Sequence, residues 1–392
     1  MFFQRRIRPQ ATGPTARESS RELDPANRPV SPDFVKWTYR VLLHREVGAN
    51  DIVDHLVASG ISEAGLVLRI LRSLEFSCGT AGTQLATENW HLQDGQRAAM
   101  LATLLANFRS YDGPGQSGFY TDFLGVRTRT RYVPGTEQYD NQVLVFSTAD
   151  RPLLFETAEW EGTLRSVLEA RGGFVAIELG AGWGPWLVSS HAAARQRGIH
   201  NIKLAGVEAS EEHFSYLVQH LCDNGIDPEQ HFLFKGVVGK TDGFAYFPRL
   251  HDAQKDWGAQ AVIAEGGSAE STLADFVDYR GVTFEQMDRV PCIALTTLLQ
   301  RYDRIDLVHC DIQDSEGEVL PSAMDELARR VRRVVVGTHS RKSEGALLEA
   351  FVAGGWILEA DKSCRYVFHT DRIVLLQDGI QVWANPRLAT DG

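Results

Sequence analysis

The sequence predicts an α/β protein: a doubly wound, Rossmann-like, mostly parallel sheet with a C-terminal antiparallel hairpin, preceded by a small all-α domain. Three observations carry this reading. From Phe174 onward, short β-rich runs alternate with helical stretches. A glycine-rich turn, Gly180-Ala181-Gly182-Trp183-Gly184, follows the first of those runs and opens a helix. Upstream, apolar residues recur only at helical spacing, as in Phe34, Trp37, Val41 and Leu42.

A chain of 392 residues exceeds the roughly 250–300 residues at which one core stops growing, so several segments are expected. Residues 1–30 mix Arg, Pro, Ser and Glu without apolar periodicity and read as a disordered tail. Residues 31–90 read as a helical accessory module. Ser31-Pro32-Asp33 supplies an N-cap, a first-turn proline and a first-turn acid. A second helix starts at Asn50 or Asp51 and stops at Gly60. A third opens at Ser62-Glu63 and carries Leu66, Val67, Ile70, Leu71 and Leu74. Residues 91–152 read as an irregular linker and substrate-side segment, in which TDFLGVRTRTRYVPG is too polar for a core. Residues 153–392 form the sheet domain, entered through a helix over 153–171. Its strands are FVAIEL, IKLAGVE, HFLFKGVVG, DLVHCDI and VRRVVVGTH, with helices Pro185–Gln196 and Glu211–Asp223 between the first three. CRYVFHT, DRIVLLQ and IQVWAN are expected to pair antiparallel, with Asp378-Gly379 as a two-residue turn. The insertion from Arg249 to Pro291 reads as a lid or a surface excursion.

Composition narrows the partners. The net charge is −11, from 51 acidic and 40 basic residues without a long basic block, which argues against nucleic acid and anionic membranes. No run of about 18 apolar residues occurs, and MFFQRRIRPQ lacks a signal-peptide core, so no membrane span is expected. Five scattered cysteines without a CxxC pair exclude a zinc finger and a disulfide scaffold. A cytoplasmic protein with a small-molecule substrate is the expectation.

The segment Ile177-Glu178-Leu179-Gly180-Ala181-Gly182-Trp183-Gly184-Pro185 lets the backbone approach a ligand and offers unpaired helix N–H groups. The dehydrogenase fingerprint would place its third glycine where Pro185 stands, and a carboxylate at Glu178 would repel a pyrophosphate. Glu208, followed by Ala209, ends the second strand, where an acid can accept both ribose hydroxyls. Cofactor-binding residues are therefore Glu178, Gly180, Ala181, Gly182, Glu208 and Ala209. Asp311 closes the central strand, where ligands of open α/β sheets bind, and Glu316 and His339 follow as partners or substitutes. Asp311 could equally cap the next helix, Glu316 could serve the helix dipole, and His309 reads as a buried histidine. No metal is assigned, since the spacing of Asp311, Asp314 and His339 is not diagnostic.

Resemblance sharpens this. Glu178 stands as the acid does in (E/D)-x-G-x-G-x-G methyltransferases, where it faces the amino acid part of S-adenosylmethionine. The run Ile305 to Leu320, IDLVHCDIQDSEGEVL, resembles the signature of FkbM methyltransferases. Asp311, Gln313, Ser315, Glu316, Val319 and Leu320 match it, and GVRT, ALTTLL and GTHSRKSEGALLEAFVAGGW agree in order, over roughly residues 117–390. The chain departs at His309, often lysine in the family, at Asp314, usually glycine, and at Gly337, frequently glutamate. The resemblance implies the class I methyltransferase sheet, S-adenosyl-L-methionine as cofactor, and O-methylation of a hydroxyl on a glycan or secondary metabolite. Asp311 is then the substrate-orienting residue or general base, and Arg127, Arg129 or Arg131 could meet an anionic substrate. Residues from FVKWTYRVLLHREVGANDIVDHL to LVLRILRSLEF resemble a phycobilisome-linker-like helical module of bacterial surface-polysaccharide proteins, a possible protein-partner site. Alternatives are a non-catalytic scaffold of a polysaccharide-assembly complex and a nicotinamide-dependent oxidoreductase.

Overall fold

The structure is a computed structural model that describes residues 29–43, 50–62, 66, 101–144, 157–263, 276–284, 286–368 and 373–388. The chain divides into two compact units, Met1–Gly95 and Gln96–Gly392. In the first, α1 (Pro32–Leu43) begins where Ser31 Oγ accepts the Phe34 amide at 3.1 Å, and α2 is Asn50–Ala58. Val30, Val35, Val53, Leu56 and Leu66 form its small core. Of the third expected helix only Leu66 is described; Val67, Ile70, Leu71 and Leu74 lie outside the described residues, as do residues 1–28.

The second unit opens with β1 (Phe119–Thr121), β2 (Arg127–Arg129) and β3 (Gln142–Val143), a three-stranded sheet of order β2-β1-β3. There follow α3 (Thr157–Leu168), β4 (Phe174–Leu179), α4 (Pro185–Gln196), β5 (Ile202–Glu208), α5 (Glu211–Asp223) and β6 (Phe232–Lys235). Next come β7 (Val237–Gly239), β8 (Gly243–Pro248), β9 (Val262–Ile263) and β10 (Met287–Ala294). The chain continues through α6 (Leu295–Leu299), β11 (Ile305–Cys310), α7 (Glu316–Ser322), α8 (Met324–Arg330), β12 (Val331–Thr338) and α9 (Arg341–Ala353). It ends with β13 (Ile357–Lys362), β14 (Arg365–Phe368), β15 (Ile373–Gln377) and β16 (Gly379–Ala384). The central sheet has the order β13-β16-β12-β11-β4-β5-β6. Only β16 runs antiparallel to its neighbours. Apolar side chains on both faces of the sheet form its two cores, as a parallel sheet covered by helices requires. Among the described residues no helix is long and apolar enough to cross a membrane.

Three local expectations are corrected. HFLFKGVVG is not one strand: the chain changes sheets at Gly236, whose amide donates to Glu208 O at 2.8 Å. Beyond it, β7 joins a second sheet of order β7-β10-β8-β9. Asp378-Gly379 does not turn β15 into β16. The buried β16 pairs with β12 and β13, while the more exposed β14 and β15 form a separate ribbon. A strand as apolar as IQVWA gains more between two buried neighbours than at an edge. The stretch judged too polar for a core is half inside. Val126 and Tyr132 are buried, Thr128 Oγ1 bonds His220 Nε2 at 3.0 Å, and Tyr132 stacks on Tyr216 of α5. Its arginines mask this by spending their charge locally. Arg129 grips Asp223 at 2.6 and 2.7 Å, and Arg127 donates to Asp223 O and its amide to Asn224 Oδ1.

Candidate active site

At the carboxyl ends of β4, β5 and β11 lies a cavity of about 460 Å³, the place where open α/β sheets bind ligands. Of the sequence-predicted residues, Glu178, Gly180, Ala181, Gly182, Glu208, Ala209 and Asp311 line it. Glu316 and His339 stand behind Asp311.

Glu178 is buried near the end of β4 and closes the open amide end of α4, accepting from Leu187 N at 3.0 Å and Trp186 N at 3.4 Å. Burial pushes its pKa well up, and these two amides offset only part of that. Gly180 is required by contact: a Cβ there would sit 1.8 Å from Asp311 O. Gly182 has a φ of 56° and donates its amide to Glu208 Oε2 at 2.8 Å. The other carboxylate oxygen, Oε1, accepts Ser210 N at 2.7 Å. Burial raises Glu208 too, partly offset by His213, whose Nδ1 lies 4.0 Å away.

Behind the strand ends runs a chain of polar contacts. Asp311 Oδ1 accepts from Gln313 Nε2 at 2.7 Å and lies 3.3 Å from His339 Nε2. The opposite ring nitrogen, His339 Nδ1, is 3.1 Å from Glu316 Oε1, which also accepts Ile312 N at 2.8 Å. Burial alone would lower the His339 pKa, but Glu316 and Asp311 on either side hold it well above the usual histidine value. Burial works to raise Asp311, and His339 outweighs it, so Asp311 stays below the usual carboxylate range. The donor atoms of Asp311, Glu316 and His339 lie within 4.8 Å of one another. The imidazole, however, turns its two nitrogens to separate carboxylates, which suits a shared proton better than one chelated ion.

The turn after β11 is strained. Gln313 and Asp314 both have positive φ, 57° and 71°, a conformation that costs a side-chain-bearing residue about 1–2 kcal/mol. Asp314 is held there by the hydroxyls of Ser340 and Ser343, both donating to Oδ1, Ser343 at 2.7 Å. Gly337 leaves room for Asp311: a Cβ would come within 3.4 Å of its carboxyl group.

Several lining residues carried no sequence signal. His309 bonds Glu159 through Nε2 at 3.1 Å and stacks on Trp186 with centroids 5.1 Å apart. From the insertion come Tyr279, whose hydroxyl donates to Gln313 Oε1 at 2.5 Å, and Trp257. Loop residues far apart in sequence show no periodicity that would flag them. Arg127 and Arg129, engaged with α5, do not line the cavity, nor does Arg131. Glu159, Glu178, Glu208, Asp256, Asp311 and Asp378 do, and no lysine or arginine joins them among the described residues.

The raised His339 pKa fixes a sign. A histidine stabilised in its charged form contributes folding stability that is complete below the unfolded value, about 6.5. That contribution is lost as pH rises through the folded value. Thermal melts should show His339→Gln destabilised at mildly acidic pH, with the gap to the parent narrowing as the pH becomes alkaline.

No family model matches the chain. A protein of Jannaschia sp. (strain CCS1), provisionally named a methyltransferase, is 30% identical over 290 residues, 72% of this chain and 98% of that protein. Among solved structures, the precorrin-6y C5,15-methyltransferase of Geobacter metallireducens GS-15 overlaps at a TM-score of 0.30 with 13% identity, covering 61% of this chain and 93% of the other. The ribosomal protein L11 methylase of Lactobacillus delbrueckii subsp. bulgaricus does so at 0.29 and 10%, covering 65% and 88%. Overlaps of that size carry no weight for substrate or mechanism.

Proposed function

Because the chain belongs to the methyltransferase family of its Jannaschia relative, we propose that its cavity binds S-adenosyl-L-methionine and that Asp311 serves transfer to a hydroxyl. The observation that carries this is the joining of Gly182 to Glu208 by one hydrogen bond, beside a cavity walled by carboxyl groups and no basic side chain. The residues fit a cationic nucleoside: the bare Gly182 backbone admits its approach, Glu208 faces the ribose, and Glu178 and Asp311 favour positive charge nearby. S-adenosylmethionine supplies an electrophilic methyl group on a sulfonium.

The chain's own part is orientation and a proton. Gln313 and His339 both engage Asp311 Oδ1, so the carboxylate is fixed in rotation, with Oδ2 beside Gly337. Kept ionised by His339, Asp311 can accept the hydroxyl proton as the acceptor attacks. Glu316 holds His339 and acts through it. The match of IDLVHCDIQDSEGEVL to the FkbM signature supports membership of that family, with a glycan or secondary metabolite as acceptor and a cytoplasmic location. The helical unit would then serve a protein partner.

Titration calorimetry with S-adenosylmethionine tests the reading. Saturable binding is expected; no heat and no thermal shift at millimolar ligand would leave a non-catalytic scaffold. Glu208→Ala should weaken cofactor binding by about 1–3 kcal/mol, the worth of hydrogen bonds to a charged group. An unchanged dissociation constant would remove Glu208 from the site.

A further inference from the structure

The insertion between β8 and β9 places one indole at the cavity edge and spends several contacts to keep it there. Trp257 lies so close to Gly182 that a Cβ on that glycine would be 3.2 Å from indole Cζ3. Its face stacks on His213 of α5, centroids 3.8 Å apart and planes 6° from parallel. Trp183 packs on it edge-on at 4.8 Å, and its Nε1 donates to Gln254 O at 2.9 Å. Neighbouring contacts pin the same segment: His213 Nε2 bonds Ala253 O at 2.7 Å, and Arg280 Nη1 donates to Asp256 Oδ1 at 2.7 Å. Both Trp257 and His213 line the cavity with Gly182 and Glu208.

This indole is no part of the two sheet cores. Fixing a large side chain on a connecting segment costs conformational entropy that burial in a core would normally offset. Here the ring instead borders the corner where the Gly182 amide meets the Glu208 carboxylate. A sugar ring whose hydroxyls point to Glu208 would turn its C–H face to whatever forms the adjoining wall, and an aromatic ring is the apolar surface that suits it. We propose that Trp257, backed by His213, is a binding residue for the nucleoside half of the donor, closing its ribose side with a wall supplied by the insertion. The proposal rests on the S-adenosylmethionine reading above.

Full-length protein, Trp257→Ala and Trp257→Phe are titrated calorimetrically with S-adenosylhomocysteine, with circular dichroism melts as the folding control. Trp257→Ala should raise the dissociation constant about tenfold or more, the scale of losing an aromatic platform, and Trp257→Phe should stay within about threefold of the parent. Parent-like affinity in a folded Trp257→Ala overturns the proposal. Absence of binding by the parent defeats the cofactor reading itself, before any variant matters. Should Trp257→Ala fail to fold, indole fluorescence decides. Saturating ligand should quench the parent and leave Trp257→Phe largely unquenched although it still binds, whereas equal quenching in both overturns the assignment.

Discussion

Gly182→Val is expected to abolish cofactor binding while the protein stays folded. The backbone at 182 has a φ of 56°, where a β-branched residue is a steric outlier. A side chain there would also run into Trp257 and fill the approach to the loop. The amide that Gly182 gives to Glu208 would shift with it, so both the bare backbone and the ribose acid would be lost together. The strain amounts to about 1–2 kcal/mol, against the roughly 5–15 kcal/mol by which domains are stable. Calorimetry should find no saturable binding, with a melting curve only modestly lowered. Retained affinity would make the loop purely structural. Gly180, packed 1.8 Å from the main chain of Asp311 once given a Cβ, is the contrasting position. Substitution there should damage folding first.

Asp311→Asn should reduce turnover by about 10²- to 10⁴-fold, the usual worth of a positioned general base, with cofactor affinity little changed. The amide keeps the shape of the carboxylate and cannot take up the hydroxyl proton. It also removes one of the two negative neighbours of His339, so the imidazole should titrate at lower pH in the variant. Transfer of labelled methyl groups into acceptors extracted from a strain lacking the protein measures the first effect. Histidine NMR titration measures the second. Kinetics equal to the parent's would eliminate Asp311 as base.

What the sequence disclosed and what it concealed follow from range. FVAIEL, IKLAGVE and VRRVVVGTH coincide with β4, β5 and β12 within one residue, because a buried parallel strand is a nearly unbroken apolar run. The glycine turn is equally local. The pairing of β16 with β13 was hidden because ILEADK alternates charged with apolar residues and is separated from its partner by the whole β14–β15 ribbon. The small sheet at 119–143 was missed because its inward residues are threonine and tyrosine rather than Val or Leu. At the site, Glu178, Glu208 and Asp311 could be read from strand ends. Trp257, Tyr279 and Glu159 could not, since only the folded chain brings an insertion and a preceding helix to those strands.

The all-acidic lining of the cavity bears on what happens after the reaction. A wall of carboxyl groups attracts a sulfonium and has less hold on the neutral thioether that remains once the methyl group has left. The same side chains that recruit the donor therefore loosen their grip on the spent nucleoside, which gives turnover a direction set by charge. They also screen acceptors: a sugar phosphate or uronic acid entering beside Glu159 and Asp311 would meet repulsion with no lysine or arginine at hand, so discrimination against anionic acceptors would come from the cavity's electrostatics and need no tight shape fit.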